Sequence, residues 1–445
     1  MRFGLLLCLL AAPACAQLRV GTFDVDASPP VGSPLAYDPT KAVTTPLSCR
    51  GVVIVGAGKP IVLCSVDWLG IANESHREFC ERLANAAGTS PNRVTIHTIH
   101  QHDAPRCDFS AKELLDQVGL GRTTYDVRFC RSVMLAAAKA VGEAVASARP
   151  VTHLGLGEAE VKEVASNRRI LGPDGKVKVT RYTACRDPKV RAEPVGTIDP
   201  NLKMVSFWNG DEPVAALTYY ATHPQSYYRT GEANPDFPGM ARNARQAKAG
   251  VPHVHFNGAG GNIGAGKWND GSRGNRQVLA DKVELGMRKA WEATKKRPLA
   301  PNDVAWHTEP VQLPAGSHLV EDKLLKQLKD DKASQPNRLT AAKHLAWLKR
   351  TQSKRPVTLS CLRLGSACVL HMPGELFVEY QLAAQAMAAD SFVAMAAYGE
   401  YGPGYIGTKI AYSQGGYETS ERASRVSSEV EAVLMGAMRK LLSGD

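Results

Sequence analysis

Thr95-Ile96-His97-Thr98-Ile99-His100-Gln101-His102-Asp103-Ala104-Pro105 holds three of the chain's 12 histidines. Apolar Val94, Ile96 and Ile99 and β-branched Thr95 and Thr98 predict a short strand. Asp103-Ala104-Pro105 stops it. Side chains alternate on a strand, so His100 and His102 share a face if the strand runs through them. Two imidazoles at the end of a buried strand, followed by a loop, make half of a metal site. The rest of the chain must supply the other ligands.

Upstream, Val52–Val55 and Ile61–Asp67 predict buried strands joined by the turn Gly56-Ala57-Gly58-Lys59-Pro60. Ser75–Ala87 predicts a helix ended by Gly88. The histidine strand follows, which gives a β-β-α-β order. Downstream, Tyr125–Ala148 has helical spacing at Val133, Ala137, Val141 and Val145. Val151–Val164 returns to strand, and Pro200–Tyr220 holds two strands around Asn209-Gly210-Asp211-Glu212. Asn275–Lys296, Phe377–Ala389 and Ser424–Leu442 predict helices. Val304–Leu313 predicts a strand and Val357–Met372 a hairpin. Strands and helices alternate with no internal repeat. The expected class is α/β (α+β), a mixed-sheet core with flanking helices in one large domain over 17–445.

The 445 residues are 44% hydrophobic and 22% charged, an ordinary globular composition. The net charge of +11 would suit nucleic acid or an anionic membrane surface if it were concentrated. It is scattered, and the densest run, Lys323–Lys354, reads as a solvated helix face. Leu324, Leu325, Leu328, Leu345 and Leu348 supply that run's apolar side. The charge therefore singles out neither partner; nucleic acid is not expected, and membrane contact is expected to be peripheral at most.

Residues 1–16 have the form of a secretory leader. Met1-Arg2 is a basic start, Phe3–Ala12 an apolar stretch, and Ala14-Cys15-Ala16 a small-residue cleavage site before Gln17. Cys15 raises a lipoprotein alternative, against which Ala12-Pro13-Ala14 is a poor lipobox. The expectation is an exported protein, periplasmic or secreted. Eight cysteines follow the leader, and Cys361 and Cys368, flanking a hairpin turn at Gly365, are the expected disulfide pair. The absence of a Cys-x-x-Cys motif argues against a thiolate zinc site.

Four more stretches carry chemistry. Tyr219-Tyr220-Ala221-Thr222-His223-Pro224 ends an apolar strand in a histidine, as the first stretch does. After it, Asp236 in Asn234-Pro235-Asp236-Phe237-Pro238-Gly239 suits a helix start or a carboxylate supporting a ligand. Asn257–Lys267 is glycine-rich, and Gly261–Lys267 spells G-x-x-x-x-G-K. The next residue is Trp268 rather than Ser or Thr, and a loop follows instead of a helix, so no nucleotide is expected. A glycine loop that lines the cleft fits better. Met372-Pro373-Gly374-Glu375 sets a carboxylate at a strand-to-helix turn. Tyr398–Tyr417 carries five of the 13 tyrosines among glycines and suits a pocket rim.

Taken together, these stretches resemble the neutral, non-lysosomal ceramidase family. His100-Gln101-His102-Asp103-Ala104-Pro105 is similar to its His-Thr-His-Ser-Gly-Pro motif. Thr222-His223-Pro224 resembles its second histidine, and Pro373-Gly374-Glu375 its Pro-Gly-Glu. Tyr405-Ile406-Gly407-Thr408, with Tyr412 and Tyr417-Glu418, resembles its Tyr-Val-Thr-Thr…Tyr…Tyr-Glu segment. The order of motifs spans nearly the whole chain after the leader.

The resemblance implies an amidase with one zinc ion per chain, held by His100, His223, Glu375 and Tyr405. It implies His102 as a catalytic neighbour and Arg168, in Ser166-Asn167-Arg168, on the substrate carbonyl. Tyr417 would contact the reacting amide. With zinc as Lewis acid, Arg168 and Tyr417 would stabilise an oxyanion and His102 would carry a proton to the leaving amine.

Departures from the pattern bear on substrate. Gln101, Asp103 and Ala104 replace Thr, Ser and Gly. Ile406 and Gly407 replace Val and Thr. Gly264 replaces a serine. Longer members carry a C-terminal immunoglobulin-like domain that helps build the substrate entrance, for which this sequence leaves no room. The expected substrate is thus ceramide or another N-acyl lipid or small amide. The competing expectations are a metal hydrolase of esters or phosphates and a non-catalytic exported lipid- or glycan-binding protein on the same scaffold.

Overall fold

The hairpin-and-crossover unit around the histidine stretch occurs three times in the backbone. A computed structural model describes residues 17–444, so the stretch 1–16, expected to be a leader, lies outside the described residues. In the first unit Ser48–Val55 pairs antiparallel with Ile61–Val66, helix Asn73–Ala87 crosses over, and Val94–Thr98 returns parallel to Ile61–Val66. In the second, Asn201–Asn209 and Glu212–Tyr220 form the hairpin, Asp236–Ala249 the crossover and His253–Asn257 the parallel strand. In the third these are Val357–Leu364, Ala367–His371, Val378–Met387 and Phe392–Ala396. A parallel return needs a long connection, and a helix supplies it each time. The class is α/β with mixed sheets, as expected. The threefold plan is one of backbone pairing, and no internal repeat marks it in the sequence.

The units lie in sheets of five, five and four strands that meet in one buried cluster. Val52 and Leu63 enter it from the first sheet, Leu217 and Phe256 from the second, Leu362 and Ala394 from the third. Strands covered on both faces read as continuous apolar runs, which is why Val52–Val55 and Ile61–Val66 stand out in the sequence.

The carboxyl ends of the parallel strands converge, and hydrogen bonds tie them. The Thr98 amide donates to the Tyr398 carbonyl (3.0 Å), and the Ala397 amide to the Asn257 carbonyl (2.9 Å). The Asn257 side-chain amide donates to the Ile99 carbonyl (2.5 Å). In α/β sheets this end of the strands is where ligand crevices form.

Three local expectations need correction. The histidine strand stops at Thr98, and His100 adopts a left-handed backbone with φ 62. Strand alternation is therefore not what brings His100 and His102 together. Glu375 is not at a helix start: it begins a two-residue strand, Glu375–Leu376, and the helix opens at Val378. Cys361 and Cys368 are free, as are the other six described cysteines, all buried. Cys361 pairs with Leu370 and Cys368 with Arg363, a diagonal placement that leaves the two thiols in contact with no bond between the sulfurs. The basic run resolves into helices Glu321–Lys329 and Gln335–Gln352, with Leu324, Leu328, Leu345 and Leu348 buried. Among the described residues no helix is long and apolar enough to cross a membrane.

Candidate metal centre

His100, His102 and His223 come together at the converging strand ends, with one ring nitrogen of each within 4.8 Å of the others. The left-handed turn at His100 replaces the pleat in aiming the first ring. Its Nδ1 donates to the Leu69 carbonyl at 2.7 Å. A carbonyl can only accept, so the neutral ring presents a lone pair at Nε2. That lone pair faces Glu375 Oε2 at 3.2 Å. Both atoms are buried, and neither has a hydrogen-bond partner. Unless the ring is protonated, two acceptors confront each other in a dry site, and a cation between them is the arrangement that satisfies both.

His102 is held in the opposite tautomer. Gln225 Oε1 accepts from the Thr183 hydroxyl (2.7 Å), which leaves Gln225 Nε2 to donate to His102 Nδ1 (3.1 Å). The Tyr37 hydroxyl reaches the same nitrogen at 3.1 Å. Nδ1 accepts, so the neutral ring carries its hydrogen on Nε2, 3.0 Å from His223 Nε2. A protonated nitrogen is no ligand. This separates His102 from His100 within the cluster.

Glu375 and Tyr405 are direct partners in a short parallel pair, Glu375–Leu376 with Tyr405–Ile406, which sets carboxylate and phenol side by side. Glu375 Oε1 accepts from the Tyr401 hydroxyl at 2.6 Å. Tyr398 stacks on His100 with centroids 4.7 Å apart. The Tyr405 hydroxyl accepts from Arg168 Nη2 at 3.2 Å. Arg168 is gripped in turn by Glu418 Oε1, at 3.1 Å from Nε and 2.9 Å from Nη2. Tyr417 packs edge-on to Tyr405 (5.7 Å) and is 39% exposed, which places it at the rim. All seven expected site residues thus gather in one place.

Electrostatics follows from burial. Burial, then His100, Arg106 and Arg168, holds the His102 imidazole well below its ordinary pKa. Burial, Arg168 and the neighbouring histidines do the same to His223. Burial raises the Tyr405 phenol well above its usual value, against the pull of Arg168. Burial would raise Glu375 as well, but a positive charge on His100, whenever that ring is protonated, and the Tyr401 and Tyr405 hydroxyls outweigh it and hold its pKa low.

The glycine loop works by close approach. A Cβ on Gly260 would lie 2.3 Å from the Thr222 carbonyl oxygen, and one on Gly261 2.2 Å from that of Glu375. The loop is wedged between the two ligand-bearing segments by close backbone approach, but none of its residues lines the cavity or groove at the site, so the cleft-lining expectation is not met. Lys267 is spent on the carbonyls of Arg191 (3.0 Å) and Glu193 (2.6 Å), and the next helix begins only at Asn275. Asp236 does not touch the histidines. It accepts from the Ser226 amide (3.1 Å) and so anchors the loop after His223.

A cavity of about 110 Å3 beside the cluster is lined by Tyr37, His100, His102, Glu375, Tyr405 and Tyr417. It shares Tyr37, Arg106, Lys343, Tyr417 and Arg422 with an outer groove of about 640 Å3. A separate cavity of about 370 Å3 touches His76, His97 and His371. There His97 spends Nδ1 on the Ala397 carbonyl (2.8 Å), so that space lacks a convergent donor set.

No family model matches the sequence, and no curated protein matches it. Solved structures do. The neutral ceramidase from Pseudomonas aeruginosa superposes with a TM-score of 0.68 over 96% of this chain and 75% of that one, at 15% identity. The fold is that of neutral ceramidase. A structure described as a ceramidase complexed with C2 gives a TM-score of 0.67 over the same shares, also at 15% identity.

Tyr37, Gln225 and Glu418 are functional neighbours that motif reading does not assign. Gln225 and Glu418 lie within two residues of His223 and Tyr417. Tyr37 is 65 residues from His102, with no local pattern to flag it.

Proposed function

We propose that the chain is an exported, zinc-dependent amidase, with 17–445 as its catalytic domain behind the leader 1–16. Its substrate is the N-acyl amide bond of ceramide or of a related N-acyl lipid or small amide. The observation that carries this reading is the confrontation of His100 Nε2 and Glu375 Oε2, two buried atoms that are both acceptors whenever the His100 ring is neutral. With His223 and Tyr405 they form a two-nitrogen, two-oxygen donor set of the kind zinc takes.

Zinc held there supplies a Lewis acid for the acyl carbonyl and lowers the pKa of water. The chain's own groups do the rest. His102, oriented by Gln225 and Tyr37, takes up the proton that the attacking water loses and, as the imidazolium so formed, gives it to the leaving amine. Arg168 stays charged because Tyr405 and Glu418 outweigh its burial, and it offers the carbonyl oxygen a fixed donor. Tyr417 at the rim adds a phenol to the same oxygen. The fold match to neutral ceramidases, one of them complexed with C2, supports an N-acyl lipid as the substrate class.

The test is metal content by mass spectrometry on purified protein, wild type beside His223→Ala, followed by turnover of N-acyl amides. About one zinc per chain, lost in the variant, is the expected result. A wild type that takes up no zinc after incubation with the metal would overturn the proposal.

A further inference from the structure

We infer that the amide this site takes carries an anionic group, a carboxylate or a phosphate, close to the scissile bond. The inference rests on the amidase reading above and names its substrate class.

The inner cavity and outer groove are lined by Arg106, Arg122, Arg229, Lys343, Arg422 and Arg425. Among the described residues none of these six forms an ion pair. The carboxylates in the same walls are Asp38, Asp108 and Glu375. Glu375 faces His100 and Tyr401. Asp108 accepts from the Ala111 amide (3.0 Å) and from Asn73 Nδ2 (3.1 Å), and burial pushes its pKa up to about 6. Three carboxylates thus stand against six cations, and one of them, Glu375, is already engaged by His100 and Tyr401.

Their placement matters more than their number. Arg106 lies over the Tyr37 ring, 5.1 Å from its centroid, and Tyr37 touches His102. Arg425 is 5% exposed; its Nη1 donates to the Gly402 carbonyl (2.6 Å), while its Nε, like that of Arg106, has no partner. Lys343 sits between buried Ala342 and His344 on helix Gln335–Gln352. It is the inward-facing member of a basic run whose pattern suggests only a solvated face. Burial, then Arg106 and Arg425, pushes its ammonium well below the ordinary lysine range.

Three cations crowded at the inner end of one groove destabilise one another unless something negative joins them. Guanidinium forks and an ammonium suit a carboxylate or phosphate. A neutral amide would leave the cations in excess over the carboxylates of the same walls. Leu35, Pro336 and Leu339 in the same groove give an acyl chain apolar contact. An anionic membrane surface could engage exposed Arg122, Arg229 and Arg422, but not Arg425 in the inner wall, so a small-molecule anion accounts for more of the set.

Three matched amides provide the test: N-lauroylglycine, N-lauroylphosphoethanolamine and neutral N-lauroylethanolamine. With zinc-loaded protein, kcat/KM for at least one anionic amide should exceed that for the neutral one by about tenfold. Which anion wins separates carboxylate from phosphate. Lys343→Gln and Arg106→Gln should each lower the anionic-to-neutral ratio severalfold. Lys343→Gln removes a charge from among like charges, so it should melt at or above wild type. Equal or faster cleavage of the neutral amide, or a ratio that neither variant moves, would overturn the inference. So would anionic phosphatidylglycerol vesicles that accelerate all three amides alike, since the cations would then serve a membrane. If none of the three is cleaved, the amidase reading fails, and calorimetric titration decides the anion question separately. Tighter binding of the anionic amides, weakened by Lys343→Gln, supports anion recognition, and equal binding of all three sinks it.

Discussion

Replacing Glu375 by Gln tests whether the two facing acceptors are a metal seat. In the metal-free protein His100 Nε2 and Glu375 Oε2 lie 3.2 Å apart with no hydrogen-bond partner. A buried acceptor left in that state costs about 1–3 kcal/mol. Gln has the same shape: its Oε1 still accepts from Tyr401, and its Nε2 can donate to His100. One hydrogen bond is recovered, worth about 1 kcal/mol net. At about 2.1 cal/mol/K of unfolding entropy per residue, a chain of this length shifts by about 1 °C per kcal/mol. At about pH 8, where ordinary imidazoles are neutral, metal-free Glu375→Gln should melt level with wild type or about 1 °C above it. Zinc at about a hundredfold excess over its dissociation constant adds about 2.7 kcal/mol, or about 3 °C, to wild type. The variant should gain almost none of this. Scanning calorimetry with chelator, then with zinc, measures both terms. An undiminished zinc shift in the variant would remove Glu375 from the site. A metal-free variant several degrees below wild type would show that the carboxylate is already satisfied without a cation.

His102→Ala should cut turnover by about 10²–10⁴ while zinc content by mass spectrometry stays at wild-type level; loss of the metal would place His102 among the ligands. Glu418→Ala leaves Arg168 and Arg169 buried without their shared carboxylate. It should cost about 3–5 kcal/mol in denaturant unfolding, and a loss well under about 1 kcal/mol would refute the buried pairing. His97, His255 and His344 are each held down at about 3 by burial. Below their ordinary value of about 6.5 the unfolded chain binds protons that the folded chain refuses. Their stabilisation is thus complete above about pH 6.5 and is lost as pH falls toward about 3. Together they remove about 4 kcal/mol per pH unit in that window, and a melting temperature that stays level between about pH 7 and pH 5 would contradict it.

How far the sequence reveals this molecule depends on how local each determinant is. The first ββαβ unit is legible because its strands are buried on both faces and its helix ends at a left-handed glycine, Gly88. The third is only half legible. The hairpin around Gly365 declares itself, but the returning strand Phe392–Ala396 does not, because Ala394, Met395 and Ala396 carry little strand propensity. Site residues are legible where a motif isolates them at a strand end, as for His223. The geometry behind them is less so. Alternation on a strand would also have faced His100 and His102 the same way, yet a left-handed turn is what aims His100. A residue whose role is to hold another, such as Tyr37 on His102 or Glu418 on Arg168, leaves no periodic trace, since the contact exists only after folding.

The threefold plan also explains why the candidate centre needs the whole domain. His100 follows the parallel strand of the first unit, His223 follows the hairpin of the second, and Glu375 that of the third. None of the three stretches carries a complete donor set. The Thr98–Tyr398, Ala397–Asn257 and Asn257–Ile99 hydrogen bonds join first to third, third to second and second to first. The ring they close fixes the distances among the donors before any ion arrives. A metal bound to such a ring draws its affinity from the docking of all three sheets, so its stabilisation belongs to the fold as a whole and not to the loop that holds His100 and His102. The same geometry accounts for the glycines at 260 and 261. Where two ligand-bearing segments must approach within backbone contact of the loop between them, a side chain has nowhere to go.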